Sequence, residues 1–219
     1  MLLEAQVDDA IRSRLAEELA EVEARFAAEL ASDLPCVNEL VTHIERYRGK
    51  MLRPMLVIAS GLASSTLNAS QDDLTDAHRV VATVAEMVHM ATLVHDDILD
   101  EAQVRRRGAT INQLQGNEAA VMLGDYLISH AYHLCSSLES QTVSRMIADT
   151  TNTVCEGELL QLANRNNWLL DDATYFEIIR RKTASLCGIC CKLGAMLHGL
   201  PDDVSDRMYA YGEKLGVAF

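Results

Sequence analysis

Pro35, Pro54 and Pro201 are the only prolines in 219 residues, and that scarcity sets the first limit on the fold. Proline removes a backbone donor and clashes with the preceding helical turn, so a chain with so few can form long helices. Apolar residues recur at the 3.6-residue period almost throughout, and alternating, strand-like stretches are absent. Aromatics are only 5% of the chain, while Ala, Leu, Glu and Met abound, which favours helix over strand. We expect an all-α fold: one helical bundle over residues 1–219 with a very apolar central helix.

The expected helices cover about residues 2–31, 37–47, a stretch starting near Pro54, one running through His89 to about Glu101, then 117–138, 141–164, 172–198 and 202–219. In the first, Leu15, Leu19, Val22 and Phe26 form one stripe. Ser64 to Ser70 reads as a polar turn, and Asp72 or Asp73 as a cap for the next helix. Gly108 to Thr110 breaks the pattern, and Gly199 followed by Pro201 is a stop signal.

The net charge of −13 argues against nucleic acid as a partner, because phosphate contacts need basic surface. It also means that a phosphate ligand needs local help from clustered Lys and Arg or from a cation. Glu4, Asp8 and Asp9 argue against a targeting peptide. The longest apolar stretch, Val80 to Val94, is interrupted by Glu86 and His89 and is too short to span a membrane. The expected location is the cytoplasm. Cys187 and Cys190 have C-x-x-C spacing, but no second pair follows and Leu186, Ile189 and Leu193 surround them. They read as small buried residues of a helix.

Asp96-Asp97-Ile98-Leu99-Asp100 is the strongest chemical feature. At about 100° per residue, Asp96 and Asp100 share a face one turn apart. Such close carboxylates repel one another, and a hard divalent cation relieves the repulsion. The bland alternative is a solvated acidic helix end. Two observations weigh against it: the preceding helix is apolar, and His89 falls within about 20° of the same face. Arg105-Arg106-Arg107 follows directly, and guanidinium forks match phosphate oxygens. Upstream, Lys50 and Arg53 flank a glycine turn beside Pro54, at a helix start that attracts anions. Arg180, Arg181, Lys182 and Thr183 form a third cluster, which by itself reads as an exposed helix face.

Several motifs together resemble the trans-polyprenyl diphosphate synthases. They are Gly49-Lys50 with Arg53-Pro54, Glu86 with His89, Leu93 through Glu101, Arg105-Arg106 with Gly108 and Thr110, Gly124-Asp125-Tyr126-Leu127, and Lys182-Thr183-Ala184. The resemblance implies an isoprenoid-synthase-type bundle around an apolar cavity and a Mg²⁺-dependent prenyltransferase. Such an enzyme condenses isopentenyl diphosphate with an allylic diphosphate. It implies Asp96 and Asp100 as metal ligands, and Asp96, Asp100 and Lys182 as the catalytic set. Lys50, Arg53, His89 and Arg106 would hold isopentenyl diphosphate, and Arg105, Lys182 and Thr183 the allylic diphosphate. It also implies a homodimer. In this family bulky residues four and five positions before the first aspartate close the product tunnel; here they are Thr92 and Ala91, both small, so a medium- or long-chain product is expected. The family carries a second aspartate-rich motif, and this sequence ends at Phe219, where that motif should begin. We therefore expect a chain short of the family's C-terminal helices.

Rival readings make different demands. A non-catalytic subunit of a heteromeric synthase fits the missing second motif but not the intact first one. A terpene cyclase does not need Lys50, Arg53 and His89. A di-iron carboxylate bundle needs a second Glu-x-x-His, and only Glu86 with His89 supplies one.

Overall fold

The computed structural model describes residues 9–45, 49–65, 74–106 and 108–219. Its helices are α1 (Asp9–Glu29), α2 (Pro35–Glu45), α3 (Leu52–Ser65), α4 (Asp76–Leu99), α5 (Ile111–Ser136), α6 (Gln141–Ala163), α7 (Asp172–Ile179), α8 (Ser185–Met196) and α9 (Asp202–Ala218). A π-helical turn, Arg180–Ala184, joins α7 to α8. The expected start of the first helix, the end of the second at residues 46–47, the polar turn from residue 66, Asp72, Asp73, Arg48 and Arg107 lie outside the described residues.

Helix α4 organises the bundle. Val80, Val81, Ala82, Val84, Met87, Val88, Met90 and Ala91 are at most 2% exposed, so the helix is apolar around most of its circumference and must be enclosed. It packs against α1, α3, α5 and α8. Val22 and Phe26 of α1 are fully buried, as their stripe predicts. Glu18, on the same helix, is buried too, and both its oxygens bind Arg79 of α4 at 2.7 and 2.9 Å. A fork-to-fork pair of this kind fixes rotation as well as distance.

Thr75 stands at the N-cap of α4, and its backbone N–H donates to Nδ1 of His78 at 3.1 Å. Nε2 of His78 lies 3.1 Å from the carbonyl of Gly194 in α8. A donor on Nδ1 and an acceptor at Nε2 select one neutral tautomer.

Glycines let α9 lie close on α8. A Cβ on Gly212 would come 2.5 Å from the carbonyl oxygen of Cys187, and one on Gly216 would come 2.5 Å from Cα of Ala184. Cys187, Cys190 and Cys191 are buried within this contact.

Two expectations need correction. Val104–Arg105 and Gly108–Ala109 form a short antiparallel ladder, where the sequence pattern gives no strand. Two-residue strands are too short to show a period. The helix expected over 172–198 is interrupted by the π turn, whose wider winding leaves no mark on apolar spacing. Among the described residues no helix is long and apolar enough to cross a membrane.

Burial, opposed only in part by the Gly194 carbonyl, pushes the pKa of His78 down to about 4 from 6.5. The unfolded chain therefore binds a proton that the folded chain refuses as pH falls below 6.5, and stability declines from there down to about pH 4. The span corresponds to about 3 kcal/mol. Denaturant titrations at a series of pH values are expected to show this slope, and His78→Gln to flatten it.

Candidate functional site

The C-terminal end of α4 carries Asp96, Asp97 and Asp100. Acids are unfavourable at this end of a helix, where the macrodipole is negative. Each is met by a cation from another element. Asp96 Oδ2 lies 3.2 Å from Nζ of Lys182. Asp97, 2% exposed, accepts Nε and Nη2 of Arg105 at 2.8 Å each. Asp100 accepts Nη2 of Arg165 at 3.1 Å, and the same nitrogen donates to the Leu99 carbonyl at 3.0 Å.

Lys182 sits in the π turn and also pairs with Glu158 of α6. The side chains of Asp96, Glu158 and Lys182 are 16%, 15% and 22% exposed, so they interact in a partly desolvated setting. Burial raises the Asp96 pKa, with Lys182 opposing and Glu158 reinforcing the rise. Burial works against the Lys182 ammonium, but Glu158 and Asp96 outweigh it and its pKa rises. Gly157 makes the approach possible: a Cβ there would come 2.6 Å from the Lys182 backbone nitrogen.

A second, cationic cluster adjoins the first. His89 is pushed well below its ordinary pKa by burial and then by Arg53, Arg105 and Arg106. It is therefore neutral at pH 7. Arg53 Nε is buried with no hydrogen-bond partner among the described residues, a donor that an anion would satisfy. Gly49 packs beneath the Arg106 guanidinium, since a Cβ there would come 2.5 Å from Nη2. Met51, Glu101 and Arg106 all have positive φ, at 52°, 50° and 57°. Left-handed backbone at three non-glycine residues, all beside the cationic and acidic groups, is strain that the surrounding fold maintains.

A cleft of about 570 Å³ opens between these clusters. Arg53, His89, Thr92, Asp96, Lys182 and Thr183 line it, and Leu93, Leu99, Val154 and Leu162 supply apolar wall. The other expected residues lie elsewhere. Lys50 is exposed near the start of α3, and Asp100 is exposed at the end of α4. Arg105 and Arg106 belong to the hairpin and do not line the cleft. Ala91 is fully buried in the apolar core, one residue away from cleft-lining Thr92. A second cavity of about 590 Å³, between α2 and α5, contains none of the expected residues.

Sequence reading misses Gly157, Glu158 and Arg165. Gly157 and Glu158 lie in α6 and Arg165 in the turn after it, and their partners are distant in sequence. The unbalanced basic run Arg180 to Lys182 is the one available hint, because buried cations need acids nearby. Among the described residues no three His, Cys, Asp or Glu side chains are arranged to hold a metal ion on their own.

Replacing Gly157 with Ala forces α6 away from the π turn, and we expect a loss of about 1–3 kcal/mol. A methyl group on Gly108 would have nothing within 4 Å, so Gly108→Ala is expected to stay within about 0.5 kcal/mol of the parent. Urea denaturation of both variants checks the contrast.

Residues 34–219 match the polyprenyl synthetase family. The chain is 33% identical over 209 residues to octaprenyl diphosphate synthase of Escherichia coli, covering 95% of this chain and 62% of that protein. It is 33% identical over 210 residues to heptaprenyl diphosphate synthase component 2 of Geobacillus stearothermophilus, covering 96% and 63%. The crystal structure of a decaprenyl diphosphate synthase from Rhodobacter capsulatus superposes with a TM-score of 0.88 at 32% identity, covering 96% of this chain and 63% of that one. This chain thus spans a little over three-fifths of the length of these relatives. The match over most of the sequence, together with the all-helical isoprenoid-synthase fold, makes this chain a member of the polyprenyl synthetase family.

Proposed function

We propose that this chain supplies the diphosphate-binding cleft of a Mg²⁺-dependent trans-polyprenyl diphosphate synthase. Its reaction joins isopentenyl diphosphate to an allylic diphosphate and makes a medium- or long-chain product. The observation that carries this reading is the cleft itself, whose lining combines carboxylates and cations with apolar side chains. A diphosphate joined to a hydrocarbon tail needs both.

The residues fit a hard divalent cation. Asp96 and Asp100 offer only oxygen donors, one helical turn apart, and the Asp100 N–H donates to the Asp96 carbonyl at 2.8 Å. Phosphate oxygens would complete the coordination that these two side chains leave open. When bound, Mg²⁺ neutralises charge on the departing diphosphate.

The chain's own groups account for the rest. The buried N–H of Arg53, neutral His89 and nearby Arg106 would receive isopentenyl diphosphate, with Lys50 at the start of α3. Lys182 and Thr183 would meet the allylic diphosphate, and Arg105 would help after exchanging its hold on Asp97. Developing charge on that leaving group is stabilised by donors fixed before the reaction. The apolar wall keeps water from the allylic cation formed as the C–O bond breaks. The isopentenyl double bond then forms the new C–C bond, and the resulting cation loses a proton to the departed diphosphate, which restores a double bond.

Small Thr92 leaves the cleft open next to Leu93 and its apolar neighbours. Each added isoprene unit buries further apolar surface there, which favours elongation past fifteen carbons. On the family resemblance, we read the active form as a homodimer in the cytoplasm. The alternative of a non-catalytic subunit is less well supported, because the acidic and basic residues expected of a catalytic cleft are present.

Asp96→Ala and Asp100→Ala are each expected to lower condensation about 100-fold or more, measured with isotope-labelled isopentenyl diphosphate in the complete synthase. Near-normal turnover in either variant would remove the metal assignment. Thr92→Phe is expected to shorten the product, as judged by chromatographic sizing after dephosphorylation. Ala91→Phe is expected to do so only at a cost in stability of about 1–3 kcal/mol, since Ala91 is already enclosed.

A further inference from the structure

The Lys182 ammonium lies between two carboxylates of different character. Asp96 belongs to the acidic motif of α4 and lies 3.2 Å away. Glu158 belongs to α6, lines the same cleft, and pairs with the same nitrogen. A cation that takes Asp96 removes one of these two partners and brings a like charge close to Lys182. Without a second anchor the ammonium would have two courses: to stay on Asp96 and compete with the arriving cation, or to swing out to solvent. Glu158 is placed to be that second anchor.

We propose that Glu158 is a positioning residue for Lys182, holding the ammonium in the cleft when Asp96 is given over to a cation. The inference rests on the reading of the cleft as a diphosphate site. Packing supports it independently of charge. Gly157 brings the backbone of α6 against the π turn, with a would-be Cβ 2.6 Å from Lys182 N and 2.7 Å from Arg181 Cβ. Arg181 pairs with Glu156 on the same stretch of α6. Consecutive residues Glu156, Gly157 and Glu158 therefore grip consecutive residues Arg181 and Lys182. The grip orients Arg181 outward and Lys182 toward the cleft, where Asp96 and Thr183 also lie.

Two measurements on the 219-residue chain test this, neither requiring turnover. The first is the rate of Lys182 acylation by a water-soluble succinimidyl ester in the presence of Mg²⁺, read by peptide mass spectrometry against exposed Lys214. Glu158→Gln is expected to raise the ratio roughly 3- to 10-fold, the range of coupling between contacting residues. Glu158→Asp is expected to restore most of the protection. An unchanged ratio in Glu158→Gln, with thermal unfolding showing an intact fold, would overturn the proposal.

The second is calorimetric titration with inorganic diphosphate in the presence of Mg²⁺. Glu158→Gln is expected to weaken binding roughly 3- to 10-fold in the parent and to have no effect in a Lys182→Met background. Equal weakening in both backgrounds would show that Glu158 acts on the ligand directly and not through Lys182, which also overturns the proposal. If the parent binds no diphosphate, the diphosphate reading of the cleft fails, and the acylation ratios still decide the role of Glu158.

Discussion

The rest of the structure depends on one constraint: an apolar helix, enclosed nearly all round, ends in three carboxylates. Burying α4 supplies the core of the bundle, but it carries Asp96, Asp97 and Asp100 into partly desolvated surroundings at the unfavourable pole of the helix dipole. The fold resolves this by delivering Arg105 from the hairpin, Arg165 from beyond the end of α6 and Lys182 from the π turn. Much of the irregular backbone, including the positive φ of Glu101 and Arg106, lies in the segments that make or adjoin these pairings. Architecture and chemistry are thus one problem with one solution.

The three pairs are not equivalent. Asp97 is buried and doubly held by Arg105, and its backbone carbonyl accepts from Ala102 N at 2.9 Å and Asn112 Nδ2 at 3.2 Å. That arrangement fixes the loop after α4. Asp100 and Arg165 are both about half exposed, so water and salt weaken their attraction. Asp96 lies between these extremes, enclosed enough for its charge to matter and open to the cleft. One short motif thus places one acid in a buried ion pair, one in a half-exposed pair and one beside the cleft.

Much of this is legible in the sequence. Helical period and scarce prolines give the all-α class and most helix limits, because those signals are local and repeat many times. Asp96, His89 and Arg53 can be singled out because charged residues on an apolar helix, or beside a glycine turn, need an explanation. Glu158 cannot, since its significance lies in a contact with Lys182 made by tertiary packing. Ala91 shows a different limit. Its candidacy rests on the family resemblance alone, since the helical wheel turns it away from Asp96; it lies in the core, and Thr92 lines the cleft. The hairpin and the π turn escape notice because each is shorter than the window over which periodicity has meaning.

The π turn also bears on how such chains vary. A wide turn accommodates one residue more than an α-helix of the same rise, so it shifts the angular phase of everything downstream. Across Arg180–Ala184 the face of α7 that meets α6 and the face of α8 that meets α3 are out of step by about one residue's rotation. Deleting a single residue here would restore regular winding while turning the Lys182–Thr183 pair or the whole of α8 by about 100°. In this segment the number of residues, as well as their type, decides which side chains reach the cleft.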